Sequence, residues 1–176
     1  MKLYLQLKSW QLFIVFVTPM FLPIIFISLN SPPHTLLGIT LLIAIVNLIG
    51  WLYSIGIVSN SRLPLTLKKN TMIYKICLLI PLVYIIFLAF FFPTIQDTGI
   101  QGYPAWLEPF HLASMFGMFY GLYFTAKQFT ALKNDCRVKF IDFSGTFFLF
   151  WFYPIGVWFI QPNVNELLGD AGSSLN

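Results

Sequence analysis

Charge is what this sequence has least of. Of 176 residues only 10 are Lys or Arg and 6 are Asp or Glu, so 9% of the chain is charged. A water-soluble domain carries about 25% to cover its surface. Sixteen charged side chains cannot coat a globule of this size, which excludes a soluble enzyme, a nucleic-acid module and a disordered tail. Histidine and cysteine are almost as scarce, at two each, so a disulfide framework is excluded; Cys77 and Cys136 are expected as free thiols on a reducing side. What fills the chain is 58% hydrophobic residues, 19% of all residues being aromatic, with a mean hydropathy of +0.80. The composition is that of an integral membrane protein.

Four long tracts contain no charge: Ser9 to Ser61, Ile76 to Gln96, Pro109 to Ala126 and Phe143 to Asn165. A spanning helix needs about 20 apolar residues, because about 30 Å of hydrocarbon is crossed at about 1.5 Å per residue. The last three tracts each hold one crossing. The first holds two, divided at Asn30-Ser31-Pro32-Pro33-His34, where consecutive prolines end a helix and make a turn. The sequence therefore predicts an all-α, polytopic transmembrane helical bundle in a single domain, with spans near 10–29, 36–58, 73–92, 107–126 and 143–160.

Basic residues of short loops are retained on the cytoplasmic side during insertion. Lys2 and Lys8 precede the first span, Arg62, Lys68, Lys69 and Lys75 separate the second from the third, and Lys127, Lys133, Arg137 and Lys139 separate the fourth from the fifth. All ten thus fall on one face. This predicts a bacterial inner membrane protein with its amino terminus in the cytoplasm and, after five crossings, its carboxyl terminus outside, in company with Asp97, Glu108, Glu166 and Asp170. The positive balance then meets anionic lipid headgroups and not nucleic acid. A cleaved signal peptide is not expected either, since the first apolar segment is long, holds Pro19 and Pro23, and is followed by no small-x-small site.

Within the spans no Asp, Glu, Lys or Arg sits at the centre, and such residues are the working parts of ion-coupled transporters. Asn47, halfway along the second span, is the strongly polar side chain at depth: either a substrate contact or a hydrogen bond between helices. The fourth span repeats small residues every four positions at Ala113, Gly117, Gly121 and Thr125, and the second has a weaker version at Gly50 and Ser54. Residues four apart stack on one helical face, so each stripe is a groove that another backbone can approach closely, from this chain or from a partner. Proline removes a helical hydrogen bond. Kinks are expected in the first span at Pro19 and Pro23, in the third at Pro81 and in the fifth at Pro154 with Gly156. The fifth also carries the aromatic run Phe147 to Tyr153, a packing surface or the wall of a pocket for a flat apolar molecule such as a lipid tail or quinone.

The segment Phe147 to Asn165, FFLFWFYPIGVWFIQPNVN, resembles the carboxyl-terminal part of a family of small bacterial multi-pass membrane proteins with a Pro-Ile-Gly-x-Trp-Phe-Ile-Gln-Pro signature. Here the signature is Pro154, Ile155, Gly156, Trp158, Phe159, Ile160, Gln161 and Pro162. The resemblance implies a multi-pass membrane fold and brings no activity with it; where the family carries a basic residue after Gln-Pro, this chain has Asn163.

Groups able to do chemistry fall on the outer side: His34 in the first turn, Asp97, and Glu108 with His111 at the mouth of the fourth span. Glu108 and His111 are three apart, half of the motif that di-iron bundles use twice, with Pro109 between them disturbing the geometry. A single copy predicts a hydrogen-bonded helix-end histidine, with no bound metal, haem or other cofactor. There is no Gly-x-Ser-x-Gly, Gly-rich phosphate loop or Cys-x-x-Cys, and no catalytic residue is assigned. The leading expectation is a non-catalytic accessory or interaction component of a membrane complex, whose partners are lipid and other membrane proteins or further copies of itself. A small carrier or lipid- or quinone-binding protein using Asn47, Pro154, Gly156 and Gln161 is the first alternative. A metal or haem protein built on His34, Glu108 and His111 is the second.

Overall fold

The computed structural model describes the backbone of residues 2–28, 34–97 and 104–169, and the side-chain surroundings of 3–22, 38–89 and 104–169. The described residues form seven α-helices and no strand. A short α1 (Lys2–Gln6) leads into four long helices, α2 (Ser9–Ser28), α3 (His34–Arg62), α4 (Met72–Asp97) and α5 (Glu108–Asn134), and then two of twelve residues, α6 (Phe140–Trp151) and α7 (Tyr153–Val164). A 3₁₀ turn at Ala105–Leu107 precedes α5 and a π turn at Asn165–Gly169 follows α7. The turn at Asn30 to Pro33 and most of the loop before Pro104 lie outside the described residues.

Successive long helices run antiparallel. Gly38 lies against Ala89 while Gly56 lies against Tyr74, which fixes α3 on α4; Gly117 meets Cys77 and His111 meets Tyr84, which fixes α4 on α5. Two segments, Gly38–Arg62 and Met72–Ala89, are long and apolar enough to cross a membrane. Helix α2 is 20 residues and α5 is 27, the latter more polar because it carries Gln128, Thr130 and Lys133. Helices α2 and α4 run unbroken through Pro19, Pro23 and Pro81. Pro109 falls in the first turn of α5, where its missing N–H has no helical partner to lose.

The fifth expected span is not one continuous helix. The helix is interrupted at Phe152, whose backbone (φ −89°, ψ 52°) is not helical, directly before Pro154, which cannot donate to the preceding turn. Helix α6 climbs beside α5 from Thr146, bonded to Thr130, to Trp151, whose ring lies 4.4 Å from that of Phe119. Helix α7 then descends beside α2, with Tyr153 at Phe16, Trp158 at Phe13 and Gln161 at Leu7. The two are a helical hairpin. Twelve residues span about 18 Å, short of the about 30 Å of a hydrocarbon core.

The two described ends of the chain lie at one end of the bundle. Arg62 donates to the carbonyls of Leu167 and Leu168, Lys133 Nζ lies 3.0 Å from Asn163 Oδ1, and Gly169 stands beside Leu5. Glu166 therefore belongs to the same end of the bundle as α1 and the basic residues; Asp170 lies outside the described residues.

Apolar side chains cover the outside of the bundle as well as filling its core. Large apolar side chains point away from the bundle along every long helix and the hairpin, among them Ile14, Met20, Ile43, Leu79, Val83, Phe116, Phe148, Phe152 and Phe159, while Ser54, Asn60, Ser114, Thr125, Gln128, Thr130 and Gln161 are buried.

Candidate functional site

Three arrangements gather the polar and small residues of the chain. The first is the junction of α3, α4 and α5. The stripe on α5 faces α4: a β-carbon on Gly117 would stand 2.5 Å from the Cys77 carbonyl oxygen, and one on Gly121 2.5 Å from Leu78 Cδ2. Thr125 continues it, donating to the Gly121 carbonyl and meeting the Tyr74 hydroxyl at 2.9 Å. Tyr74, wholly buried, donates to the Leu52 carbonyl at 2.7 Å and stacks on Phe124 with 4.3 Å between centroids. Gly56 of α3 leaves room for its hydroxyl. Ala113, at the far end of the stripe, is exposed.

The second is a clamp at the basic end, centred on Gln161. Its amide nitrogen donates to the carbonyls of Tyr4 and Leu7 at 2.8 and 2.9 Å and to Asn165 Oδ1 at 2.9 Å; its oxygen accepts from Trp51 Nε1 at 2.9 Å. Its two N–H groups are shared among three acceptors and its oxygen takes one donor, which joins α7 to α1, α3 and the turn after α7. Gly50 and Ser54, expected as a helix groove, instead hold α1: the Tyr4 ring lies on Gly50, and Ser54 Oγ bonds the Gly50 carbonyl. Asn47 is part of the same clamp, accepting from the Tyr4 hydroxyl at 3.0 Å and donating to the Ile43 carbonyl at 2.8 Å. Burial pushes the Tyr4 phenol up. Gly156 lets α7 pass the Leu149 carbonyl of α6, a spot with no space for a β-carbon, and Pro154 falls in the first turn of α7, just after the break.

The third is a groove of about 400 Å³ between α4 and α5 at the opposite end, walled by Ile80, Tyr84, Phe87, Trp106, Phe110 and Ala113 among others. Its lining is almost wholly apolar. Glu108 and His111 are exposed on the first turns of α5, His111 with its ring 5.7 Å from that of Tyr84. The side chain of His34 lies outside the described residues, as does that of Asp97. Among the described residues no three His, Cys, Asp or Glu side chains come together. Cys77 and Cys136 are free.

Sequence reasoning singled out Gln161 and Asn47 without their partners, and it missed Tyr4, Trp51 and Tyr74. The signal for Tyr74 was a tyrosine just inside a span, where its hydroxyl must find an acceptor. Tyr4 gave none, since nothing in its neighbourhood foretells a partner more than forty residues away. No protein-family model, curated protein or solved structure matches this chain.

Proposed function

We propose that this chain is an integral protein of a bacterial inner membrane, with α2, α3, α4 and α5 crossing the bilayer and the α6–α7 hairpin entering and leaving on the cytoplasmic side. It serves there as a non-catalytic accessory or interaction component. The observation that carries this reading is the apolar outer face of the bundle. Exposed Leu79, Val83, Phe116, Phe148 and Phe159 would each cost free energy in water, while the buried polar groups of Trp51, Gln161, Tyr74 and Thr125 are paired among themselves. Ten basic residues at one end support the orientation. The polar side chains at depth, Asn47, Gln161 and Thr125, are spent on joining helices, which supports a structural partner over a carrier. Outward helix faces are what remain for lipid and for other membrane proteins or a second copy. On this reading the segment resembling the family signature is the returning arm of the hairpin.

The α4–α5 groove favours a second reading, a lipid- or quinone-binding protein, because its apolar lining and size suit an acyl or isoprenoid chain. Lipid and quinone analysis of the protein purified in mild detergent separates the two. A stoichiometric apolar molecule lost on Ala113→Leu supports the second; a stoichiometric membrane-protein partner or homo-oligomer without one supports the first. Solute transport in proteoliposomes overturns both.

Topology is tested with impermeant maleimide on intact and permeabilised cells, in a Cys77→Ala, Cys136→Ser background. Trp106→Cys should label from outside and Glu166→Cys only after permeabilisation. Labelling of Glu166→Cys in intact cells restores a fifth crossing. Release of the chain from membranes by alkaline carbonate overturns the membrane reading.

A further inference from the structure

At the basic end, between the α3–α4 loop and the start of the hairpin, a cavity of about 330 Å³ is lined by Thr66, Lys69, Lys127, Gln128, Arg137 and Val138 among others. Three cations from three separate segments converge on it. Two of the three stand on contacts that hold them in place. Asn60 holds the Lys69 main chain from both sides, donating to its carbonyl and accepting from its N–H, both at 2.9 Å. Lys127 is aligned by the Tyr123 hydroxyl at 3.1 Å and sits 5.3 Å above the centre of that ring. Arg137 lies on the α5–α6 turn, which is set by Asp135 in the left-handed conformation (φ 47°) and anchored by buried Val138.

Like charges gathered around one cavity repel, and among the described residues no carboxylate pairs with any of the three. Asp142, the nearest acid along the chain to Arg137 on the α6 side, is engaged by the Lys139 backbone N–H at 2.7 Å. A second observation is independent of the charges. Gln128 is only 2% exposed and lines the cavity, yet its amide has no hydrogen-bond partner among the described residues. The amide is reachable from the cavity and offers it both hydrogen-bond donors and an acceptor.

We infer that this cavity is a phosphate site, taking the phosphate group of an anionic phospholipid or free inorganic phosphate, with the Arg137 guanidinium, the Lys69 and Lys127 ammonium groups and the Gln128 amide as donors. Guanidinium and ammonium donors to phosphate oxygens make charge-assisted hydrogen bonds, the guanidinium in a two-pronged geometry. The volume is at the low end for a small-molecule site, and the site lies at the end of the bundle where the headgroup layer falls. The lipid source rests on the membrane reading; the phosphate chemistry does not.

The test measures thermal unfolding of the detergent-purified full chain against added dioleoylphosphatidylglycerol, dioleoylphosphatidylcholine and, separately, inorganic phosphate at constant ionic strength. A saturable rise with phosphatidylglycerol, absent with phosphatidylcholine, is expected. Arg137→Gln and Lys69→Gln should each raise the half-saturating concentration about tenfold, the order expected for one charge-assisted hydrogen bond. Lys75→Gln removes the same charge from the same end away from the cavity and should change nothing. Saturation by the lipid alone assigns the headgroup as source; saturation by inorganic phosphate alone assigns the free anion. If Arg137→Gln does not fold, Lys69→Gln decides, because Asn60 holds Lys69 through its main chain. The site is overturned if neither probe saturates, or if Lys75→Gln weakens binding as much as the cavity variants. Carbonate release of the chain would remove the membrane reading and leave the phosphate arm to decide the site.

Discussion

The α4–α5 contact and the α6–α7 hairpin both bring two helices to backbone distance, and they reach it differently. Between α4 and α5 the approach is spread along a helical face, with Gly117 on the Cys77 carbonyl and Gly121 on Leu78 one turn later. In the hairpin it is concentrated at Gly156, where Leu149 leaves no space for a side chain, and then sealed at the far end by one amide, that of Gln161. A distributed interface loses one part of its contact when one residue changes. A point contact has no neighbour to share the strain. The comparison teaches that the short helices of this protein depend more on single residues than the long ones do, and substitutions can rank the two.

The largest effect is expected at Gly156→Val. The new side chain meets the Leu149 backbone, which cannot move without opening the hairpin. A loss of about 3 kcal/mol or more follows, read as a collapse of the unfolding temperature in detergent and new labelling of Glu166→Cys from outside. Gln161→Leu comes next. It keeps the volume and removes the clamp, leaving the Trp51 N–H and the Tyr4 carbonyl without a bond, at about 2 kcal/mol. Gln161→Glu keeps the acceptor for Trp51 but turns an oxygen toward the Tyr4 and Leu7 carbonyls, so it should be no more stable than Gln161→Leu. Equal stability of Gln161→Leu and the parent would show that the hairpin is held by its aromatic packing, Phe16 on Tyr153 and Trp51 on Phe150, and not by the clamp.

Regular features of the bundle could be read before any coordinates. Charge-free tracts of sufficient length became α2, α3, α4 and α5, because hydropathy and helix length are local properties. The stripe Ala113, Gly117, Gly121, Thr125 was visible as spacing, though nothing in it named α4 as the neighbour. The tract from Phe143 to Asn165 misled for a physical reason. Its length suffices for a crossing, and whether Pro154 bends a helix or folds it back depends on what receives the second arm. That receiver is Tyr4, Leu7 and Trp51, more than a hundred residues away in the chain. The basic cavity escaped for the same reason: Lys69, Lys127 and Arg137 lie far apart in the chain, and their meeting around one cavity is a property of the packed helices.

The smallest difference is also the sharpest, because it lies within one interface. Gly117 and Gly121 are equivalent in the sequence pattern, and a β-carbon at either would stand 2.5 Å from an atom of α4. At Gly117 that atom is a backbone carbonyl oxygen, with Pro81 also 3.4 Å from the new carbon, so relief requires moving the helix. At Gly121 it is the tip of the Leu78 side chain, which relieves the contact by changing rotamer. Gly117→Ala should therefore cost about 2 kcal/mol and Gly121→Ala about 0.5 kcal/mol or less, since alanine also favours the helix. Gly121→Leu overfills the site and should fall with Gly117→Ala. If thermal unfolding ranks Gly121→Ala below Gly117→Ala in stability, the α4–α5 approach is not set by the Cys77 carbonyl, and the distributed character of that interface fails with it.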